Sequence, residues 1–189
     1  MKFQYPEKQG LYDPQFEHDS CGVGFVVQIK NHKSHHIVQQ GLRLLCNLDH
    51  RGALGADPET GDGSGIMIQI PHQFFVEECQ KAGFYLPEAG EYAIASIFLP
   101  QDPFAQRHCG AVIESHIVEK GMDLLGWRDV PIDLDYVGKQ ARSSMPALRQ
   151  LFMGRRRLEN YDQEKFERKL YITRKAIRTS LQDVDGFII

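Results

Sequence analysis

Apolar and polar positions fall in blocks along the chain, and the blocks read as strands and helices in turn. Residues 22–29 are β-branched and nearly all apolar, the pattern of a short buried strand. From 35 to 48 the apolar residues Ile37, Val38, Leu42, Leu45 and Leu48 fall at helical spacing, which predicts an amphipathic helix. Ser34 is its expected N-cap, and its end is expected near 49–52, with Gly52 in a left-handed conformation. Residues 56–65 hold four glycines or prolines and three acidic residues, and read as a loop. Next come a strand over 65–70 stopped by Pro71, a helix over 72–81 ending at Gly83, and a strand over 92–99 ended by Pro100. Further on, the pattern predicts a helix over 104–120 closed by Gly121, a strand over 124–130 anchored by Trp127, and a short helix over 134–141. A strand over 147–153 and the longest helix, 161–181, complete the series, and 186–189 begin one more strand. This is an α and β mixture whose strand directions periodicity does not set.

Composition narrows the class. With 189 residues, 42% hydrophobic and 25% charged, the chain suits a soluble globular protein with one sizeable core. A formal net charge of −3 argues against a nucleic-acid binder or a membrane-surface protein. No run approaches the roughly 18 apolar residues of a membrane span. Residues 1–20 lack the apolar centre of a signal peptide and read as an irregular leader. At the other end stand three large apolar residues, Phe187, Ile188 and Ile189, so a truncation is expected.

The four cysteines, Cys21, Cys46, Cys79 and Cys109, contain no C-x-x-C pair, so neither a zinc ribbon nor a local iron–sulfur motif is present. Reduced thiols in a cytoplasmic protein are the expectation. Cys46 lies among leucines and is expected in a core; Cys79 and Cys109 are expected to be packing residues. No metal site is expected. His32, His35 and His36 cluster without an acidic ligand at matching spacing, and a solvated helix start accounts for them. The basic residues of the last quarter are interleaved with Glu159, Asp162, Glu164 and Glu167, the pattern of an exposed helix face.

Cys21 stands apart. A cysteine nucleophile needs a base, because its free pKa is about 8.5. An α-amine of pKa about 7.7–8 serves if the cysteine is the first residue. Cleavage between Ser20 and Cys21 creates that arrangement, and Gly22 and Gly24 let substrate approach the backbone. A buried structural cysteine is the other reading. Arg51, at a helix end leading into a glycine-rich loop, could grip a carboxylate with two parallel hydrogen bonds; a capping or surface arginine is its alternative. The loop over 57–65 has neither the lysine of a phosphate-binding loop nor the ligand spacing of an EF-hand, so a tight connection whose glycines shape a pocket wall is expected.

Taken together, Cys21-Gly-Val-Gly-Phe25, Leu48-Asp-His-Arg-Gly-Ala53, Gly55-Ala-Asp57 and Thr60-Gly-Asp-Gly-Ser-Gly-Ile66, followed by Gln69-Ile-Pro71, resemble the start of the glutamate synthase large-subunit family. That region is a class II glutamine amidotransferase domain of the N-terminal-nucleophile hydrolase fold. The resemblance is dense over 19–75 and looser to Ile189. It implies an α+β fold, a four-layer αββα sandwich present only as its N-terminal part. It divides the chain into a propeptide, 1–20, and an incomplete amidotransferase domain, 21–189.

The resemblance also implies roles. Cys21 is the nucleophile toward the side-chain amide of L-glutamine, and Arg51 supports or contacts that substrate. Gly22, Gly52, Asp62 and Gly63 belong to the pocket and its loop. No cofactor is implied for these residues; FMN and an iron–sulfur cluster belong to the full enzyme, where ammonia is passed to 2-oxoglutarate. The implied partners are the rest of the synthase chain and an electron-donating small subunit or ferredoxin, with no nucleic acid and no membrane. The family's later Asn-Gly oxyanion donors lie beyond Ile189, and losing such a donor typically costs about 10²–10³ in rate. Little or no glutaminase activity is therefore expected of these 189 residues alone. The competing reading is a non-catalytic half-domain that binds a partner or is an inert fragment.

Overall fold

The structure is a computed structural model and describes residues 8–10, 13, 22–49, 52, 60–61, 63–155 and 162–189. It divides into two compact units, Met1–Ile68 and Gln69–Ile189.

In the first unit the regular element is helix α1, His35–Asn47, with Ser34 as N-cap in an extended conformation. Its last turn closes where the Leu48 N–H donates to the carbonyls of Leu44 and Leu45, 3.1 and 3.0 Å away. The helix thus ends at Leu48, before the expected 49–52. Gly52 lies in the turn that follows, its N–H donating to the Asp49 carbonyl at 3.1 Å.

Two expected strands are not strands. Residues 22–29 and 65–70 belong to no β-ladder among the described residues. An apolar run becomes a strand only when its backbone finds a partner. Exposure along the first run still alternates: Phe25 is 86% exposed and Val26 38%. One face of each run rests on α1, and the other, with Val23, Phe25, Val27 and Met67, is open. Cys46 also departs from expectation. It is exposed, because the face of α1 that carries it is uncovered.

The second unit is built on a three-stranded antiparallel sheet in the order β1-β3-β2, with β1 Tyr92–Leu99, β2 Asp123–Asp129 and β3 Ala147–Gly154. Before it comes α2, His72–Lys81, whose exit is set by Gly83 at φ 91°. Helix α3, Pro103–Glu119, starts as its sequence dictates. The Asp102 carboxylate accepts from the Ala105 N–H at 2.7 Å, and Pro103 fills a first-turn position that needs no donor. A 3₁₀ turn, Leu134–Tyr136, and a short α4, Lys139–Ser144, replace the single helix expected over 134–141. Asp133 caps the 3₁₀ turn through the Asp135 N–H, and Gly138 begins a separate helix. Helix α5, Gln163–Ser180, is capped by Asp162, which accepts from the Lys165 N–H at 2.8 Å.

The sheet is covered on both faces. On one, Ile97, Leu99, Leu151 and Met153 pack with Cys109, Ile113 and Ile117 of α3 and Phe166 and Ile177 of α5. On the other, Tyr92 and Phe152 pack with Phe75 and Cys79 of α2. Central β3 therefore buries Leu151, Phe152 and Met153 in succession, although a one-sided strand would alternate. Gly126 sits at a register irregularity in β2, where the Phe84 ring lies 2.5 Å from the position a Cβ would take. Mixed helix and strand with a small antiparallel sheet is the expected α+β class.

Candidate functional site

Cys21, Arg51 and Asp62 lie outside the described residues. Their neighbours Gly22, Gly52 and Gly63 are described and exposed. At Gly63 a Cβ would meet nothing within 4 Å, and at Gly52 only the Asp49 carbonyl at 3.5 Å. Their surroundings therefore leave room for a side chain, in keeping with an open loop surface.

The first unit does show how two runs close to those residues in sequence pack. A Cβ at Gly24 would lie 2.6 Å from the Leu44 side chain, and one at Gly41 would lie 2.8 Å from Ile66. Gly41 and Leu44 are three apart on α1 and share a face. The cysteine-bearing run and the run after the glycine-rich loop thus both seat on the C-terminal half of α1, the end that Arg51 follows in sequence. The smallness of Gly24 serves this packing. Gly41 went unnoticed in the sequence, yet glycine inside a helix costs about 1 kcal/mol relative to alanine, which was the available signal.

In the second unit Arg128, Glu78 and His116 join one element to another. The Arg128 guanidinium, nearly buried, donates to Glu78 Oε2 at 2.7 Å and Gln150 Oε1 at 3.0 Å, and lies 5.7 Å from the centre of the Phe74 ring. Hydrogen bonds from Lys81 and then Arg128 hold the Glu78 carboxyl below its ordinary value. His116 Nε2 lies 2.9 Å from Ser180 Oγ, with Glu119 3.8 Å from Nδ1. This has the composition of a hydrolytic triad, but neither His116 nor Ser180 lines the grooves beside β1 and Arg128. The pair joins the ends of α3 and α5. Among the described residues, no group of three His, Cys, Asp or Glu side chains could hold a metal ion. His35 and His36 are exposed, as a solvated helix start requires. No helix among the described residues is long and apolar enough to cross a membrane.

Cys79 and Cys109 are buried packing residues. Burial pushes the Cys79 thiol up to about 11. At pH 8 its thiolate fraction falls about a hundredfold below that of a free thiol, and burial slows reaction further. Thiol labelling of the native chain at pH 8 should therefore modify Cys46 readily and leave Cys79 and Cys109 unmodified until denaturant is added. Mass spectrometry of the labelled peptides reads this directly, and early labelling of Cys79 would contradict the packing described.

Residues 21–187 match the family of class-II glutamine amidotransferases, and the chain belongs to that family. Its relatives include glutamate synthases. The chain is 44% identical over 172 residues to the glutamate synthase [NADPH] large chain of Bacillus subtilis (strain 168), covering 91% of this chain and 11% of the relative. It is 40% identical over 174 residues to the glutamate synthase [NADH] of Schizosaccharomyces pombe, covering 90% and 8%. It is 38% identical over 161 residues to the chloroplastic ferredoxin-dependent glutamate synthase of Oryza sativa subsp. japonica, covering 85% and 10%. The chain thus spans about a tenth of the length of these relatives.

Proposed function

We propose that this chain is the leading part of the glutaminase domain of a glutamate synthase, with Cys21 as its nucleophile. One observation carries the reading. The family match begins at residue 21, the one cysteine followed by the Gly22 and Gly24 pattern. That start supports a mature domain, 21–189, headed by Cys21 after removal of a propeptide, 1–20.

In this reading the α-amine of Cys21 takes the thiol proton, and the thiolate attacks the side-chain amide carbon of glutamine. The C–N bond breaks and the amine returns its proton to the departing ammonia. Water then cleaves the thioester, releasing glutamate and restoring the thiol. Arg51 supports the pocket or pairs with the substrate carboxylate, and Gly22, Gly52, Asp62 and Gly63 form the pocket and its loop. The whole domain is read as a four-layer αββα sandwich, to which the described residues contribute one antiparallel sheet.

Ammonia passes to 2-oxoglutarate at an FMN site in the rest of a longer, cytoplasmic enzyme. In this reading FMN and the iron–sulfur cluster belong to the rest of that enzyme. The relatives are named for NADPH, NADH and ferredoxin, so likeness to them leaves the electron donor open. The test is a diazoketone analogue of glutamine applied to the full-length protein. A covalent adduct on Cys21 supports the reading, whereas an unprocessed, unlabelled chain favours the non-catalytic alternative.

A further inference from the structure

Gly24 belongs to the motif around Cys21, yet its backbone does not call for a glycine. Its φ lies outside the left-handed region that Gly83, Gly90 and Gly121 occupy. What a side chain there would meet is Leu44 of α1. A Cβ would stand 2.6 Å from both Leu44 Cδ1 and Cδ2, and 3.0 Å from Cγ. Ordinary carbon contacts lie at about 3.5–4.0 Å, so a methyl needs about 1 Å more room. Turning the Leu44 methyls about χ2 leaves Cγ where it is, and on a helix χ1 is held to two of its three wells. The contact at Gly41 is softer, because only Cδ1 of Ile66, the free end of that side chain, lies 2.8 Å from a Cβ there. Leu44 is the firmer of the two seats on α1.

Short lengths of chain tie this seat to the proposed chemistry on both sides. Cys21 precedes Gly24 by three residues, which span at most about 11 Å. On the other side α1 closes at Leu48, about one turn beyond Leu44, and Arg51 follows Leu48 by three residues. Helical hydrogen bonds run to Leu48, and the Gly52 N–H closes the next turn on Asp49 at 3.1 Å.

We propose that Leu44 is a positioning residue for amide cleavage. Through Gly24 it sets how far the cysteine-bearing run stands from the helix that leads to Arg51. This rests on the roles proposed above for Cys21 and Arg51. It gives Gly24 a task other than admitting substrate, the task its sequence motif alone suggests. A methyl at position 24 pushes the run off α1 and leaves the helix and its connection to Arg51 unchanged. The nucleophile then shifts relative to the bound glutamine, and a misplacement of about 1 Å can cost about a hundredfold in rate. The loss falls on kcat, because the carboxylate contact is kept.

The test uses the full-length protein and counts active sites with the diazoketone analogue, so that kcat is expressed per labelled Cys21. Gly24→Ala should lower that kcat by about tenfold to a hundredfold and leave KM within about threefold. Leu44→Ala removes Cγ and both Cδ atoms. The double variant should therefore turn over at least about threefold faster than Gly24→Ala alone, whereas independent losses would add. A purely structural role would lower the melting temperature and the labelled fraction but leave kcat per site at the parental value. That result, or a double variant no faster than Gly24→Ala, would overturn the proposal. If Gly24→Ala takes no label at all, the double variant must restore labelling, and its failure to do so would overturn the proposal equally. A parent that takes no label on Cys21 removes the reading of Cys21 as nucleophile, and this proposal with it. A labelled parent beside a Gly24→Ala of parental kcat removes the positioning role alone.

Discussion

Replacing Cys21 with alanine in the full-length protein should lower glutamine hydrolysis by about 10⁴-fold or more, the scale on which enzymes lose rate when a covalent nucleophile is deleted. The loss is large because the thiol's role is not shared. Removing it forces water to attack an unactivated amide directly, and what remains is the contribution of substrate positioning. Cys21→Ser separates the sulfur from the amine. It retains the first-residue base but supplies a hydroxyl that ionises far less readily than a thiol, so its activity should lie well below the parent. Both variants should bind glutamine, since the proposed carboxylate contact belongs to Arg51. Steady-state glutamate release, with binding followed by calorimetry, checks both halves of this expectation. Glutamine hydrolysis by the alanine variant at the parental rate would remove Cys21 from the mechanism.

The largest expected effect on stability lies in the second unit, at Phe152. Its side chain is fully buried on β3, with the rings of Phe75, Phe84 and Tyr92 at 5.3, 5.5 and 6.4 Å between centroids. Phe152→Ala removes the contact common to α2, the segment after it and β1, and leaves a cavity that three aromatic neighbours cannot collapse into. Such a change costs about 3–5 kcal/mol, a large share of the roughly 5–15 kcal/mol that holds a domain folded. Urea unfolding followed by fluorescence should show a midpoint lowered by about 1–5 M, given slopes of about 1–3 kcal/mol/M. Tyr85→Ala is the control. Tyr85 is 78% exposed, and its replacement should alter stability by no more than about 0.5 kcal/mol. Equal effects from the two substitutions would mean that the cluster around Phe152 is not the core described.

The second unit was the more legible in sequence, for a physical reason. Each of its elements carries its own punctuation and buries its own apolar side. Asp102 and Pro103 start α3, Gly121 at φ 70° follows its end, and Pro100 stops β1. Strand 92–99 and helix 72–81 fall where the apolar pattern puts them. The runs 22–29 and 65–70 were misread because apolar content signals a need for burial, not the presence of a partner. The exposed Cys46 teaches the same lesson. Helical periodicity ranks the faces of α1, but which face is covered depends on what packs there.

Long-range chemistry was less legible. The join between Arg128 and Glu78 spans 50 residues, and nothing near either residue announces it. In the first unit the spelling around Cys21 and Arg51 suggested chemistry before any geometry did. The structure adds that the two glycine-bearing runs meet one face of α1, at Leu44 and Gly41. This gives the motifs a shared scaffold that their separation in sequence conceals.

The most direct measurement on the central claim is the intact mass of the purified full-length protein, before and after treatment with the diazoketone analogue, with the modified residue located by peptide sequencing. The account expects a first residue of Cys21, one added analogue per chain, and the adduct on that residue's sulfur. A chain that begins elsewhere, or an adduct on Cys46 while Cys21 stays free, would contradict it.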